Sequence, residues 1–418
     1  MNVTQVSRRF TRRAWGGTET VVLETSRRLL ARQYETSLVC PNALDRQATE
    51  DFDGLRVDRV PYFYPYLGLG PEQTAALDRK GGNLFSFALM RRLLAMPRPD
   101  VYHLHTGKRL GGIVRTVARR RNVPYVVTLH GGYADVPDEE RATWTEPTRG
   151  TLEWGKALGL LVGSRRVLED AAHVICVGRG EAEALRATLP HDRVSYLPNG
   201  VDFGRFSRGD GASFRATHGI PSTRRLILSV ARIDRQKSQL VCVDILDGLR
   251  RRHDAHLLLV GPVTDEPYFA ELQRRVRELR LTERVTIIPG LDPGSSDLVD
   301  AYHAADAFVL PSVHEPFGIA AVEAWASGVP VVASRVGGLA HLVDDGRDGI
   351  LFDPASPTEA VAGVDLLLSR PETGRHLVAE GRRRARLEFD WDRVVDRLTR
   401  VYESVTPSVG AHRREAVA

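Results

Sequence analysis

Cysteine and methionine are scarce in this 418-residue chain, three of each. Cys40, Cys176 and Cys242 stand far apart with no C-x-x-C spacing. That excludes a disulfide framework and a structural zinc site, and it suits a reducing cytoplasm, the expected location. Long apolar runs are also missing: none reaches the roughly 18 residues a membrane helix needs. Arg8, Arg9, Arg12 and Arg13 interrupt the N-terminal region, so no signal-peptide core is expected. There is no internal repeat and no low-complexity tract, which excludes solenoid architectures. Aromatic residues make up only 7%. The basic residues are spread out rather than interleaved with aromatics, so a nucleic-acid partner is not expected.

Two common nucleotide fingerprints are absent as well. Gly178-Arg179-Gly180-Glu181-Ala182-Glu183 has Glu where a dinucleotide site needs its third glycine. Gly68-Leu69-Gly70-Pro71-Glu72-Gln73 lacks it too and places Pro where the helix should open. Before Gly107-Lys108, the upstream glycine of a Walker A loop is replaced by Tyr102. Redox and P-loop chemistry therefore lose ground.

What is present is length and alternation. The chain is long enough for two domains of about 150–200 residues. Residues 1–205 hold 30 Lys and Arg against 23 Asp and Glu, a net +7, and the remainder holds 28 against 30, giving the overall +5. A basic front half favours a phosphorylated acceptor or a peripheral contact with the inner membrane face. The plainer reading is solvated helix faces, as in Arg119-Arg120-Arg121. Short β-branched runs alternate with helix-period segments, the signature of an α/β fold with parallel sheets. Strands are predicted at Val3–Val6, Glu35–Cys40, Val101–Leu104, Tyr125–Leu129, His173–Val177 and Val194–Leu197. The pattern restarts at Leu226–Val230 and continues through His256–Val260, Val285–Ile288, Ala307–Leu310 and Val329–Ala333. This gives two Rossmann-like, doubly wound domains joined near Asn199–Phe206. Such sheets bind ligands at the carboxyl ends of their strands, and two facing each other would form a cleft.

Chemistry concentrates in the second half. "SVARIDRQKS" puts Arg232 and Lys237 on a loop after a strand, where a planar fork and a point charge can grip a diphosphate; a solvated loop is the plain alternative. "HEPFGIAAVEA" holds Glu315 and Glu323 eight positions apart around an apolar run. An unpaired buried carboxylate is costly, so both should face polar partners. The amides of Phe317, Gly318 and Ile319 would open the helix Gly318–Ser327 and suit an anion, with Gly318 allowing close backbone approach. Glu323 suits a ribose diol and Glu315 suits sugar hydroxyls. In the first half, Gly16-Gly17 reads either as a substrate loop or as a plain turn into a helix. His130 ends the strand "VVTLH" and is either a site residue or a satisfied core histidine. His103 and His105 share a strand face and could pair on a metal, but no third ligand is evident. Two Asp-x-Asp triplets, Asp51-Phe52-Asp53 and Asp390-Trp391-Asp392, read as surface residues.

Taken in order, "WGGTET", "TLHG", "LPNGVDFGRF", "SVARIDRQKS", "EPFGIAAVE" and "GVPVVASRVGG" resemble the motif series of the retaining glycosyltransferases of family 4, which have the GT-B fold. The resemblance spans nearly the whole chain. It implies transfer of a hexose or related sugar from a nucleotide sugar, UDP ahead of GDP, to a saccharide, lipid-linked or small-molecule acceptor. It implies that Glu323 holds the ribose, Glu315 touches the donor sugar, and Arg232 and Lys237 neutralise the leaving diphosphate. Gly16, Gly17 and His130 would serve the donor from the first domain. Reaction on one sugar face is implied, with the leaving phosphate helping to take the acceptor's proton; Glu315 is the formal nucleophile in the alternative. No metal and no other cofactor is expected. The implied domains are 1–203 on the acceptor side, 204–389 for the nucleotide sugar, a helix 390–405 that crosses back to the first domain, and a disordered tail 406–418. Rival readings on this fold are a sugar-nucleotide epimerase and a catalytically silent sugar-nucleotide binder.

Overall fold

The computed structural model describes residues 1–131, 146–291 and 294–406. Apart from Thr406, the tail expected to be disordered lies outside them. The chain forms two compact units: Met1–Pro198 together with the segment from Val394, and Asn199–Arg393.

The first unit is built on an eight-stranded sheet. Its order is Val194–Tyr196, His173–Cys176, Tyr125–Leu129, Val101–Leu104, Asn2–Val6, Glu35–Pro41, Leu55–Val60 and Thr49–Phe52. Every neighbouring pair is parallel except the last. Strands such as Val101–Leu104 are buried on both faces, which is why they read as unbroken apolar runs rather than alternating ones. One core face gathers Leu104, Ile113, Val117 and Val127. Another gathers Phe10, Val22, Leu38 and Leu55. The chain leaves Asn2–Val6, builds outward on one side to the Thr49–Phe52 and Leu55–Val60 hairpin, then returns to Val101–Leu104 on the other side. The carboxyl ends of Asn2–Val6 and Val101–Leu104 are therefore the point where the winding reverses and a doubly wound sheet leaves a crevice.

The second sheet has six parallel strands in the order Val285–Ile288, Ala255–Val260, Arg225–Val230, Ala307–Leu310, Val331–Ser334 and Ile350–Phe352. Its winding reverses between Arg225–Val230 and Ala307–Leu310. The loops that follow these two strands carry Arg232 with Lys237 and Glu315, respectively.

The segments that enter and leave the second unit pair inside it. Val201 N–H donates to the Phe389 carbonyl at 2.7 Å, and Trp391 N–H donates to Val201 at 3.1 Å. This pairing sets the edges of the unit at Asn199 and Arg393, rather than at the 204 and 389 expected from sequence. The last helix, Trp391–Val405, supplies buried Val395, Leu398 and Tyr402 to the first unit. Thr406 is ordered, its hydroxyl donating to the Tyr402 carbonyl at 2.7 Å. Among the described residues no helix is long and apolar enough to cross a membrane.

Candidate functional site

At the reversal point of the second sheet, the two loops named above are laced together. Val313 N–H donates to the Gln236 carbonyl at 2.9 Å. The Gln236 side chain donates to the His314 carbonyl at 3.0 Å. Asp234 fixes the first loop from within: it accepts from Lys237 N–H at 3.1 Å and from the Thr264 hydroxyl at 3.0 Å. Arg232 lies 3.2 Å from Asp234 and donates to Gln236 at 2.9 Å. Its guanidinium is 41% exposed, so it keeps donors for another anion.

Lys237 is not the solvated cation of the plain loop alternative. Its side chain is only 12% exposed, and Nζ donates to Glu315 Oε2 at 2.6 Å. Two residues read separately, as phosphate grip and sugar contact, thus form one charge-assisted pair, the shortest kind of hydrogen bond. The Glu315 loop is clamped from behind, its carbonyl accepting from Gly338 N–H at 2.7 Å. A Cβ at Gly338 would come within 2.1 Å of the Pro316 carbonyl, so the glycine pair of "RVGG" is required by backbone packing.

The helix after Glu315 runs Ile319–Ser327 with Gly318 as its N-cap in left-handed backbone, φ 102°. A Cβ there would also strike Leu339 at 2.6 Å. Glycine at 318 thus serves the fold as well as any ligand. Glu323, one turn in, is partly exposed by area, but its carboxyl group is set deep enough that desolvation pushes its pKa up to about 7. Tyr302 donates to its Oε2 at 2.8 Å, and Arg205 acts on it through space. Neither partner was legible beforehand; both come from segments 21 and 118 positions away.

The first unit carries the other expected residues. Gly16 caps the helix Gly17–Ala31 with extended backbone, φ −152°, and no side chain caps the helix start. Nothing in that conformation demands glycine, so both the turn and the substrate-loop readings stand on its small size. His130 follows the strand Tyr125–Leu129 and joins a relay. The Gln5 side chain donates to Ser26 at 2.6 Å, which leaves Gln5 Oε1 to accept from His105 Nε2 at 2.8 Å. His105 Nδ1 then accepts from His130 Nε2 at 3.0 Å. His103 is held between Tyr402 and Thr128, both at 2.7 Å. Burial lowers all three histidines: His103 to about 3, His130 to about 4, and His105 well below its ordinary value. Both ring nitrogens of His103 and both of His105 are committed to hydrogen bonds, so the His103–His105 metal pairing is replaced by hydrogen bonding. Among the described residues no group of three or more His, Cys, Asp or Glu could hold a metal ion.

Comparison with known proteins follows the same division. The family model described as a glycosyl transferase 4-like domain matches residues 16–200, and the one described as glycosyl transferases group 1 matches 211–384. The D-inositol 3-phosphate glycosyltransferase 2 of Catenulispora acidiphila is 32% identical, over 84% of this chain and 82% of its own. The D-inositol 3-phosphate glycosyltransferase of Geodermatophilus obscurus is 29% identical, over 96% of this chain and 88% of its own. Among solved structures, HepE of Anabaena in complex with UDP and glucose superposes with a TM-score of 0.73 at 17% identity, covering 97% of this chain and 100% of that one. Sucrose-phosphate synthase of Thermosynechococcus elongatus gives 0.73 at 22%, covering 97% and 98%. With parallel-sheet units that match in order from end to end, the chain belongs to the glycosyltransferases of family 4 and has their GT-B fold.

Proposed function

We propose that the chain transfers a hexosyl group, with retention, from a nucleoside diphosphate sugar to a hydroxyl of a small polyol or saccharide. The observation that carries this reading is the Lys237–Glu315 pair, with Arg232 on the same loop as Lys237, on the loops that follow the two strands between which the second sheet reverses; Glu323 stands on the helix that follows Glu315. Arg232 has exposed donors for the diphosphate, and Lys237 adds a charge already fixed in place, so charge developing on the leaving group meets preorganised cations. The helix start at Phe317, Gly318 and Ile319 offers amides to the same anion. Glu323 accepts from the ribose, and Glu315 from the sugar. Because Glu315 is held by Lys237, the leaving phosphate rather than Glu315 takes the acceptor's proton. No metal enters this reading, since the two cations supply its charge. In the first unit, Gly16-Gly17 and His130 are the groups offered to substrate. UDP is favoured, since the HepE structure holds UDP and glucose. A phosphorylated polyol acceptor is favoured by the relatives named for D-inositol 3-phosphate.

The test is a thermal-shift screen of UDP, GDP and ADP sugars followed by transfer assays with and without EDTA. Expected are stabilisation by a UDP sugar, an axial-to-axial or equatorial-to-equatorial product by NMR, and activity that survives EDTA. Inverted product, or activity restored only by added divalent metal, overturns the corresponding part. Donor binding with no transfer to any acceptor favours the silent binder, and interconversion of the free sugar nucleotide favours the epimerase.

Peripheral membrane contact has a separate support in the first unit. Leu160 and Leu161 are 70% and 76% exposed. Beside them Leu152 pairs across from Leu67, and exposed Trp154 stacks on Phe63. Exposed Arg149, Lys156 and Arg165 lie in the same stretch. Apolar side chains amid cations fit an anionic bilayer surface. Leu160→Ser with Leu161→Ser should abolish co-sedimentation with phosphatidylglycerol vesicles.

A further inference from the structure

The hydrogen-bond relay that ends at His130 has a direction, and its partners fix that direction step by step. It starts at a group that can only accept. The Val22 carbonyl lies 2.5 Å from the Ser26 hydroxyl, and two oxygens that close need a hydrogen between them. Ser26 has one hydrogen and spends it there, so its Oγ accepts from Gln5 Nε2 at 2.6 Å. The amide is thereby oriented, and Gln5 Oε1 is the atom that meets His105 Nε2 at 2.8 Å. An amide oxygen only accepts, so His105 carries its hydrogen on Nε2. A neutral imidazole has one such hydrogen, which leaves His105 Nδ1 bare. In the 3.0 Å bond between His105 Nδ1 and His130 Nε2, the donor is therefore His130. By the same count His130 Nδ1 is bare, and among the described residues nothing donates to it.

The surroundings keep the count valid. Burial holds both rings neutral, lowering His130 to about 4 and His105 well below its ordinary value. No carboxylate belongs to the relay, so none can draw a proton onto a ring. Gln5, Ser26 and His105 are all buried, and the His105 N–H donates to the Val6 carbonyl at 2.8 Å, which anchors that residue to the strand Asn2–Val6. The rings of His105 and His130 stack 5.2 Å apart at 26°. His103 lies 4.2 Å from His105, but Tyr402 and Thr128 occupy both its nitrogens, so it does not compete.

A polar network buried for stability alone gains most when every member is satisfied. This one begins in the helix Gly17–Ala31, passes the strand Asn2–Val6 and the residue after Val101–Leu104, and stops unsatisfied just past Tyr125–Leu129. The carboxyl end of such a strand is where a doubly wound sheet receives ligands. A bare ring nitrogen there attracts the hydrogen of a hydroxyl and repels the lone pairs of a phosphate or a carbonyl.

We propose that Ser26, Gln5 and His105 are positioning residues that hold His130 in the tautomer with hydrogen on Nε2, so that Nδ1 meets substrate as a hydrogen-bond acceptor for one sugar or polyol hydroxyl. The contact with substrate rests on the transferase reading above; the tautomer does not. His130 then selects for a hydroxyl at one carbon and does not serve the diphosphate, whose oxygens carry no hydrogen at neutral pH.

Heteronuclear NMR on the full chain with isotope-labelled histidine reads each ring's tautomer at pH 7, and His130→Gln identifies the His130 signals. In the wild type His130 should show hydrogen on Nε2 and a bare Nδ1. Gln5→Leu removes the acceptor of His105 Nε2–H. The His105 hydrogen should move to Nδ1 and donate to His130 Nε2, which forces the His130 hydrogen onto Nδ1. Ser26→Ala only frees the Gln5 amide to turn over, so a mixture of both tautomers should appear. Ser26→Thr keeps a hydroxyl for the Val22 carbonyl and should restore the wild-type spectrum. Circular dichroism and stabilisation by UDP check each fold, and Ser26→Ala carries the test if Gln5→Leu does not fold. In transfer from the sugar nucleotide selected by the screen above, Gln5→Leu should raise one KM by about tenfold, the loss of one hydrogen bond. A raised KM for the sugar nucleotide places the hydroxyl on the donor sugar, and a raised KM for the acceptor places it there. Hydrogen on Nδ1 in the wild type, or the wild-type tautomer in both Gln5→Leu and Ser26→Ala, overturns the relay. Tautomers that change as expected while both KM values stay at wild type overturn the substrate contact and leave the transferase reading intact. The expected tautomers without transfer to any acceptor overturn the transferase reading and leave the relay standing.

Discussion

Arg232 and Lys237 are alike in sequence and unlike in structure. Arg232 is 41% exposed and Lys237 is 12% exposed, paired with a carboxylate that is itself 13% exposed. Replacing Arg232 with Ala should lower kcat by about 100–1000-fold, the loss typical of a transition-state donor, with Tm close to wild type. Lys237→Ala should show a similar kinetic loss together with lower stability. It leaves the Glu315 carboxylate with only the Ser312 hydroxyl at 3.4 Å, and a poorly satisfied buried charged group costs upwards of about 1–3 kcal/mol. Calorimetry and steady-state kinetics on the two purified variants separate these outcomes, and equal Tm values would show that the pair adds nothing to the fold. The sequence made both cations and both glutamates visible, because residue type and spacing carry their chemistry. It could not show that Lys237 and Glu315 meet, since the contact joins loops 78 positions apart. Tyr302 was missed for the same reason. A tyrosine in an apolar helix pattern reads as core until its hydroxyl is seen on Glu323.

At the scale of elements, the misses have more than one cause. The helices Pro71–Lys80, Pro357–Ser369 and Pro371–Glu388 each open with proline in the first turn, where its missing N–H costs nothing. Read along the chain, the same prolines look like breaks. The strand Ile350–Phe352 is three residues long, and charges interrupt Thr49–Phe52 and Leu55–Val60, so none of them stands out as an apolar run. The long helix Pro371–Glu388 matters to the site because it backs the Glu323 helix. Arg384 pairs with fully buried Asp348 and sits 5.3 Å over the Trp325 ring, whose Nε1 donates to the Asp348 carbonyl at 2.8 Å. Gly381 lies against that ring: an added Cβ would be 2.5 Å from Trp325. Alanine is ordinarily the better helix former by up to about 1 kcal/mol. Here Gly381→Ala should instead destabilise the protein by about 1–3 kcal/mol through overpacking and weaken donor binding by displacing Glu323. Chemical denaturation together with UDP titration measures both effects. A variant more stable than wild type would mean that the two helices part at no cost and do not hold Glu323 in place.

For the whole molecule, burial moves titrating groups in both senses: it lowers the histidines of the first unit and His256 of the second, and it raises Glu323 of the second. In the first unit His103, His105 and His130 are held neutral, with pKa values depressed below the ordinary 6.5 by burial. The unfolded chain binds protons at these sites before the folded chain does. Their contribution is therefore fully present above about pH 6.5 and is lost as pH falls toward 4 and 3. In the second unit burial raises Glu323 from 4.5 to about 7 and moves Asp348 the same way, against its pairing with Arg384. There the folded state holds the proton more tightly. The Glu323 contribution is present below about pH 4.5 and is lost as pH rises through 7. Hydrogen exchange on the intact chain, with rates corrected for intrinsic pH dependence, should reveal the division. Between pH 7 and pH 5, peptides from the strands Val101–Leu104 and Tyr125–Leu129 should lose protection, and those from the helix Ile319–Ser327 should gain it. Glu323→Gln should flatten the second response and leave the first unchanged. If the helix Ile319–Ser327 moved in the same direction as the first-unit strands, the buried carboxyl group would not govern its protection. A flat response at Ile319–Ser327 would mean that Glu323 titrates as an exposed carboxylate, and the ribose diol proposed for it would then meet a solvated charge rather than a desolvated one.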